Sequence, residues 1–215
     1  IISIYDNISK NLIYCEVVMI EVNAMGQACP IPVIMAKKAV RENTGKENIS
    51  VKVDNEVATQ NLSKMAAQLG IGVEVNKVSE KEFTVLLKAR DGVNLNPVAV
   101  PQTSSGEYAV VINSDQMGSG DEGFGKKLLE GFIYALTEQD VLPKFVVCYN
   151  SGVKLTTENE KTVNDLKALA SQGCEVLSCG LCLDFYGLKE KLKVGSPTNM
   201  YRITEIMRTH FVVRP

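Results

Sequence analysis

Short apolar strand patterns alternate with amphipathic helical patterns along most of the chain, and residues 91–106 interrupt this alternation. The interrupting stretch (DGVNLNPVAVPQTSSG) has the Pro, Gly and Ser content that is typical of a linker. A chain of 215 residues is long enough for one or two domains. The sequence therefore predicts an α/β domain over 19–90 and a second over 107–215. Residues 1–18 show no clear period and are predicted to be an N-terminal extension.

The two predicted domains differ in architecture. In residues 19–90 the pattern reads β-α-β-α-β-β, which predicts a small two-layer sandwich. In residues 107–215 the strands are apolar on both sides, which predicts a parallel sheet covered by helices on both faces, a three-layer α/β domain.

Composition excludes several classes of function. Lys and Arg total 23 and Asp and Glu total 25, so the net charge of −2 gives no indication of a nucleic-acid partner. No apolar stretch approaches the ~18 residues of a membrane span. The single histidine, His210, argues against histidine-based metal sites and Ser-His or Cys-His catalysis. Six cysteines are too sparse for a disulfide scaffold, and we expect a reducing, cytoplasmic compartment with no metal or organic cofactor.

The segment Cys29-Pro30-Ile31-Pro32 follows a strand and opens a helix. Proline is tolerated in the first turn, so Pro30 is predicted at the first helical position, with Pro32 behind it. This arrangement holds Cys29 at or beside the N-cap, where the helix dipole favours a thiolate. The alternative is a buried cysteine at a proline-stiffened turn. Two turns along, Lys37-Lys38 is too far to contact the sulfur and is predicted to form a basic surface for a partner.

The segment from Gly26 to Pro32 and the following Lys37-Lys38-Ala39 closely resemble the TusA-like (SirA-like) sulfur-carrier family, with its CPxP motif. The similarity covers about 70 residues. It implies that Cys29 carries a persulfide and passes the outer sulfur to an acceptor. Asp54 also falls on a recurring position of that family. From its place before a helix, we first interpret Asp54 as the N-cap of 56–69 and only second as a site residue.

The run Gly118-Ser119-Gly120-Asp121-Glu122-Gly123 fits the dinucleotide pattern GxGxxG. The first glycine lies too far past the strand for a tight crossing, and no acid follows the next strand to hold a ribose. We therefore interpret these glycines as turn residues, with Asp121 or Ser119 as the helix cap.

The pair Cys179 and Cys182 lies just past the third strand of the second domain, where α/β sheets bind ligands. Three interpretations remain open. A single CxxC is a weak zinc signal, because four ligands are needed. The pair is also compatible with a redox dithiol, or with a persulfide acceptor that has a resolving neighbour. Cys148 and Cys174 fall in apolar strand patterns and are predicted to be core residues.

The second domain resembles the DsrE-like sulfur-relay fold, in the runs Met117–Glu122, Gly125–Leu129 and Cys179–Tyr186. A TusA-like unit followed by a DsrE-like unit resembles the YedF proteins linked to selenium metabolism. The resemblance implies a reactive cysteine, with Cys179 the best match and Cys182 second, and assembly into multimers through this domain.

The function expected from both resemblances is that of a sulfur or selenium carrier, similar to a sulfurtransferase. It would take its cargo from a donor protein of the cysteine desulfurase type and pass it to an acceptor protein. The alternatives are a non-catalytic binding or regulatory module, and a dithiol oxidoreductase using Cys179 and Cys182.

Overall fold

A computed structural model describes residues 19–43, 47–88 and 107–215. The chain divides into two compact units, Ile1–Leu95 and Asn96–Pro215. The predicted extension at 1–18 and linker at 91–106 lie outside the described residues, so their boundaries stay predictions.

The first unit consists of a four-stranded sheet with two helices in its described part. The strand order is β1-β2-β4-β3, with β1 and β2 parallel and the other neighbours antiparallel. This is the predicted β-α-β-α-β-β arrangement. In chain order the elements are β1 (Met19–Asn23), α1 (Ile31–Glu42), β2 (Asn48–Val53), α2 (Glu56–Leu69), β3 (Val73–Ser79) and β4 (Glu82–Leu87).

Both helices of the first unit bury one apolar face against the sheet. Ala36 and Val40 of α1 and Leu62 of α2 join Val51 and Val85 of the strands in one hydrophobic core. Burial of such side chains contributes ~1.5–3 kcal/mol each relative to exposure. The core therefore fixes the start of each helix against the carboxyl ends of β1 and β2.

The helix ends of the first unit correct two predictions. The N-cap of α2 is Asn55, whose side-chain oxygen accepts a hydrogen bond from the Ala58 N–H at 2.8 Å, so Asp54 is not the cap. Helix α1 begins at Ile31, which makes Pro30 the N-cap residue instead of the first helical residue. Cys29 accordingly lies one residue before the cap, beside it as predicted.

The second unit has a five-stranded sheet, parallel throughout, in the order β8-β7-β6-β5-β9. The three-residue strand β8 was not predicted, because Ser-Pro-Thr carries no apolar or alternating signal. In chain order the elements are β5 (Tyr108–Ile112), α3 (Glu122–Thr137), β6 (Phe145–Cys148), a 3₁₀ helix (Asn150–Thr156), α4 (Glu160–Ser171), β7 (Glu175–Cys179), α5 (Gly180–Phe185), a 3₁₀ turn (Lys189–Lys191), β8 (Ser196–Thr198), α6 (Met200–Thr209) and β9 (Phe211–Val213).

Helices cover both faces of this parallel sheet. Leu129 and Ile133 of α3 and Leu166 of α4 pack with one face of the strands. Ile203 and Ile206 of α6 pack with the other. The three-layer α/β prediction is confirmed, and its parallel strands place the loops that follow β5, β6 and β7 at one edge.

Asp121 caps α3, since its carboxylate accepts a hydrogen bond from the Phe124 N–H at 2.7 Å. This is one of the two caps that the sequence offered. Within the described ranges, no helix is long and apolar enough to cross a membrane.

Candidate functional site

Cys29 lies at the end of the loop that leads from β1 into α1, and its side chain is exposed. The loop is held at its base, where the Ala24 N–H donates to the Lys52 carbonyl at 2.9 Å and the Ala24 side chain is fully buried. At its far end, the Ile31 N–H donates to the Ala28 carbonyl at 3.0 Å. A fixed loop therefore presents the thiol to solvent, and the alternative of a sealed cysteine does not apply.

Asp54 supports this loop from the end of β2. Its carboxylate accepts a hydrogen bond from the Gly26 N–H at 2.9 Å and another from the Asn55 side chain at 2.8 Å. These bonds, that of Asn55 above all, hold the pKa of Asp54 below its usual value. Gly26 has φ +72, a left-handed conformation that glycine adopts without strain. Asp54 therefore positions the loop that carries Cys29.

A second contact reaches the thiol from α2. The Asn61 side-chain amide lies 4.0 Å from the Cys29 sulfur and donates to it. Asn61 was not singled out in the sequence, because its contact joins α2 to the loop before α1, across 32 positions of the chain.

The two lysines of α1 interact with charged residues of the same helix. Lys38 forms an ion pair with Glu42 at 3.9 Å, and both side chains are exposed. Partial burial, together with the nearby Arg41, lowers the pKa of Lys37. Neither of these two interactions involves Cys29, and a partner surface at these lysines stays a prediction.

In the second unit, Cys179 ends β7 and is the N-cap residue of α5, while Cys182 lies in the first turn of that helix. The Cys179 side chain is only 2% exposed, whereas Cys182 is half-buried. The two side chains pack together in one cluster. Solvent therefore reaches Cys182 more readily than Cys179, while the resemblance favours Cys179 as the reactive thiol, and which of the two reacts stays a prediction.

The backbone of Asn150 holds the sulfur of Cys182. The Asn150 N–H donates to that sulfur at 3.1 Å, and the residue itself has φ +50, an uncommon conformation for a non-glycine residue. Burial raises the pKa of Cys182, and the neighbouring Cys179 also raises it, while the Asn150 N–H acts in the opposite direction. The Cys182 thiol is therefore oriented but not held as a thiolate.

Polar side chains continue from Asn150 along the same edge. Tyr186 donates its hydroxyl to the Asn150 side-chain oxygen at 3.0 Å, and the Lys154 ammonium lies 5.6 Å from the centre of the Tyr186 ring. The Lys154 ammonium also donates to Asp115 at 3.2 Å, and the Asp115 N–H donates to the Ser151 hydroxyl at 3.1 Å. This connected set, called here the carboxyl-edge cluster, ends at Cys182.

Asp115 is the acidic member of the carboxyl-edge cluster. Partial burial acts to raise its pKa, but hydrogen bonds from Ser151 and Lys154 outweigh burial and hold the pKa below its usual value. The carboxylate is therefore charged at neutral pH and fixes the Lys154 ammonium near the Tyr186 ring. The sequence did not single out these residues, because their contacts join loops that follow different strands.

Cys148 and Cys174 are buried, and their prediction as core residues holds. Burial raises the pKa of Cys148 to about 12 and that of Cys174 to about 11. Both thiols are therefore inert at neutral pH. In the part of the chain that the structure describes, no group of three or more His, Cys, Asp or Glu side chains could hold a metal ion.

The comparisons with known proteins concern the segment around Cys29 most directly. Residues 20–89 match the family described as Sulfurtransferase TusA. A protein of Methanocaldococcus jannaschii, named "Putative sulfur carrier protein MJ0990", is 29% identical over 72 residues, 34% of this chain and 96% of that protein.

Two solved structures are also similar to parts of the chain. A SirA-like protein from Desulfitobacterium hafniense is 41% identical, with 32% of this chain and 95% of that chain covered and a TM-score of 0.31. The ychN protein from E. coli is 16% identical, with 51% of this chain and 99% of that chain covered and a TM-score of 0.39. From the family match and the sulfur-carrier relative, residues 20–89 constitute a TusA/SirA-like sulfur-carrier domain.

Proposed function

We propose that Cys29 carries sulfane sulfur as a persulfide and passes its outer sulfur to the thiol of an acceptor protein. The observation that carries the proposal is the exposed thiol of Cys29, on a braced loop of a domain that matches the sulfurtransferase family TusA. The chain is then a relay that resembles a sulfurtransferase. It needs neither a metal nor an organic cofactor, because thiol exchange chemistry is sufficient for each transfer.

The geometry around Cys29 supports a carrier role. An incoming persulfide is attacked by the Cys29 thiolate at its outer sulfur, and the donor thiol leaves. The amide of Asn61, 4.0 Å from the sulfur, is within reach to stabilise the negative charge of the thiolate and of the persulfide formed. A protruding sulfur also lets a second protein approach from solvent, which the next transfer requires.

The donor is proposed to be a protein of the cysteine desulfurase type, and the acceptor a protein thiol. Selenium in place of sulfur, a DsrE-like role for the second unit and its assembly into multimers are part of the same proposal. They rest on the resemblance to YedF proteins.

The test loads the full-length protein with a cysteine desulfurase and cysteine, then measures intact mass and maps the modified peptide. The expected result is a gain of the mass of one sulfur atom on Cys29, lost when an acceptor thiol is added. Selenocysteine in place of cysteine tests the selenium cargo in the same way.

The matched variants are Cys29→Ser and the double variant Cys179→Ala/Cys182→Ala. The first must lose the gain in mass on the first unit, and the second must keep it. If the wild-type protein gains no sulfur at Cys29, the alternative of a non-catalytic binding or regulatory module is favoured instead.

A further inference from the structure

The two thiols of the second unit have unequal access to solvent, and this difference assigns them different tasks. Cys182 is half-buried at the carboxyl edge of the sheet, while Cys179 is buried beneath it. A persulfide donor can reach the first sulfur but not the second. Since the two side chains pack together, Cys182 is a thiol that the buried Cys179 can reach.

We propose that the Cys179–Cys182 pair reductively releases sulfane sulfur as hydrogen sulfide, with Cys182 as the acceptor and Cys179 as the resolving thiol. This inference rests on the proposed function only in taking persulfide sulfur as the cargo. It adds an activity, because a carrier returns its sulfur to another thiol, whereas this pair discharges the sulfur as free sulfide.

The first step loads Cys182. The Cys182 thiol gives up its proton as its sulfur attacks the outer sulfur of a persulfide R–S–SH; the S–S bond of the donor breaks, and R–SH leaves with the proton that Cys182 lost. The product is a persulfide on Cys182. The Asn150 N–H, which donates to the Cys182 sulfur at 3.1 Å, fixes the direction of this sulfur.

The second step discharges the pair. The Cys179 sulfur attacks the inner sulfur of the Cys182 persulfide. A Cys179–Cys182 disulfide forms as the S–S bond of the persulfide breaks. The outer sulfur leaves as sulfide and takes the proton of Cys179, giving H₂S. Over the two steps together, the two cysteine thiols lose two electrons and the sulfane sulfur gains them, so the donor persulfide is the oxidant. An external dithiol reductant restores the pair for another turnover.

The CxxC spacing suits this second step. With Cys179 as the N-cap residue and Cys182 in the first turn of α5, both side chains lie at the same end of the helix. Burial of Cys179 keeps it away from competing thiols and oxidants in solvent. Within the carboxyl-edge cluster, Tyr186 donates a hydrogen bond to the side chain of Asn150, whose backbone N–H donates to the Cys182 sulfur.

The test uses the full-length chain with Cys29→Ser, so that failure of the carrier site cannot affect the outcome, and with Cys15→Ser, which removes the cysteine of the predicted N-terminal extension. The protein is fully reduced, desalted and then treated with glutathione persulfide in a closed vessel, with no reductant added. Released sulfide is then measured, and disulfides are mapped by mass spectrometry. The expected result is about one sulfide per chain together with a Cys179–Cys182 disulfide.

Two further variants of this chain separate the roles. Cys179→Ala is expected to retain a persulfide on Cys182 and to release sulfide about tenfold more slowly or less. Cys182→Ala is expected not to load at all. Equal release from Cys179→Ala, or loading of Cys179 in the Cys182→Ala chain, would overturn the assignment.

The wild-type pair provides a test that needs no substitution at Cys179 or Cys182, in case a core variant folds poorly. Sulfide release without a Cys179–Cys182 disulfide refutes the proposal, and so does the absence of release from a chain that carries a Cys182 persulfide. Failure of Cys29 to load in the separate desulfurase experiment refutes the proposed carrier function alone.

Discussion

Both thiol sites lie at the carboxyl end of a strand that pairs in parallel with its neighbour, yet they differ in exposure to solvent. In the first unit, Cys29 lies at the tip of a loop braced by Asp54 and is exposed. In the second, Cys179 ends a strand inside a three-layer core and is buried. The comparison teaches that distance from the hydrophobic core, more than place in the strand–helix topology, decides which thiol can exchange with another protein.

The largest expected difference between the two regions is in alkylation at neutral pH. A pKa of about 12 for Cys148, against an ordinary 9.0, lowers its thiolate fraction about a thousandfold, and burial slows reagent entry further. We expect iodoacetamide to label Cys29 first, Cys182 next and Cys148 last. Peptide mapping by mass spectrometry over time measures each rate separately.

Cys174, with a pKa of about 11, provides the internal control and should react between Cys182 and Cys148. If the folded protein is alkylated at Cys148 as fast as at Cys29, the contrast between the two regions is wrong. If Cys179 reacts faster than Cys182, their order of exposure is wrong.

The second expected difference is in tolerance to an added methyl group. Gly195, in the second unit, has φ +77, and a Cβ there would lie 2.2 Å from the Val176 carbonyl oxygen. Gly26, in the first unit, has φ +72 with nothing within 4 Å of its Cβ position. We expect Gly195→Ala to cost about 2–5 kcal/mol of unfolding free energy, and Gly26→Ala about 1–2 kcal/mol.

Hydrogen exchange of the β7 amides measures the loss of stability in Gly195→Ala, and hydrogen exchange of the β2 amides measures the loss in Gly26→Ala. Both glycines have a left-handed backbone conformation, so the penalty for that conformation is common to both variants. The difference between their unfolding free energies therefore measures the close approach of Gly195 to β7. Equal costs for the two variants would show that the backbone before β8 shifts to accommodate the added methyl group. The surroundings of Gly195 would then be no more tightly packed than those of Gly26.

The sequence predicted both architectures because their elements carry strong local signals. The N-cap of α2, however, is Asn55 and not Asp54 as predicted. Aspartate and asparagine suit an N-cap equally well, so the sequence does not decide between these adjacent residues. In the structure, the Asp54 carboxylate binds the Gly26 N–H instead. Strand β8 pairs with β7 without any apolar pattern of its own, so only tertiary structure defines it. Likewise, the contact between Asn150 and Cys182 joins residues 32 positions apart. Local patterns located the thiols, but not what surrounds them.

A third difference lies between two carboxyls, Asp165 in the second unit and Asp54 in the first, whose pKa values shift in opposite directions. Asp165 of α4 is partly buried, and one of its carboxylate oxygens has no hydrogen-bond partner. Burial raises its pKa, so the folded protein loses stability as pH rises from the ordinary value of 3.8 through the raised one. We expect Asp165→Asn to stabilise the second unit at pH 7 by less than about 1 kcal/mol, after allowance for solvent screening.

Thermal unfolding of both proteins between pH 3 and pH 7 measures this gain, which should vanish at the acid end, where the wild-type carboxyl is protonated. Glu158→Gln, at an exposed position before α4, is the matched control and should leave the melting temperature unchanged. A gain that persists at acid pH would mean that the substitution acts through packing instead of charge.

The smallest expected effect lies in the first unit and has the opposite sign. Because hydrogen bonds lower the pKa of Asp54, its stabilisation of the loop is complete above 3.8 and is lost as pH falls through the lowered value. We expect Asp54→Ala to accelerate hydrogen exchange of the Gly26 amide by about two- to tenfold at neutral pH, since that amide loses its acceptor.

The Ala58 amide is the internal control for Asp54→Ala. It donates to Asn55, the cap of α2, and should keep its protection if Asp54 acts on the loop alone. Faster hydrogen exchange at both amides would mean that Asp54 stabilises the start of α2. The position of the loop would then depend on the contacts of Ala24 with β2 and the core. Acceleration of Gly26 alone would separate the two tasks at the end of β2, with Asn55 holding the helix and Asp54 the loop that presents Cys29.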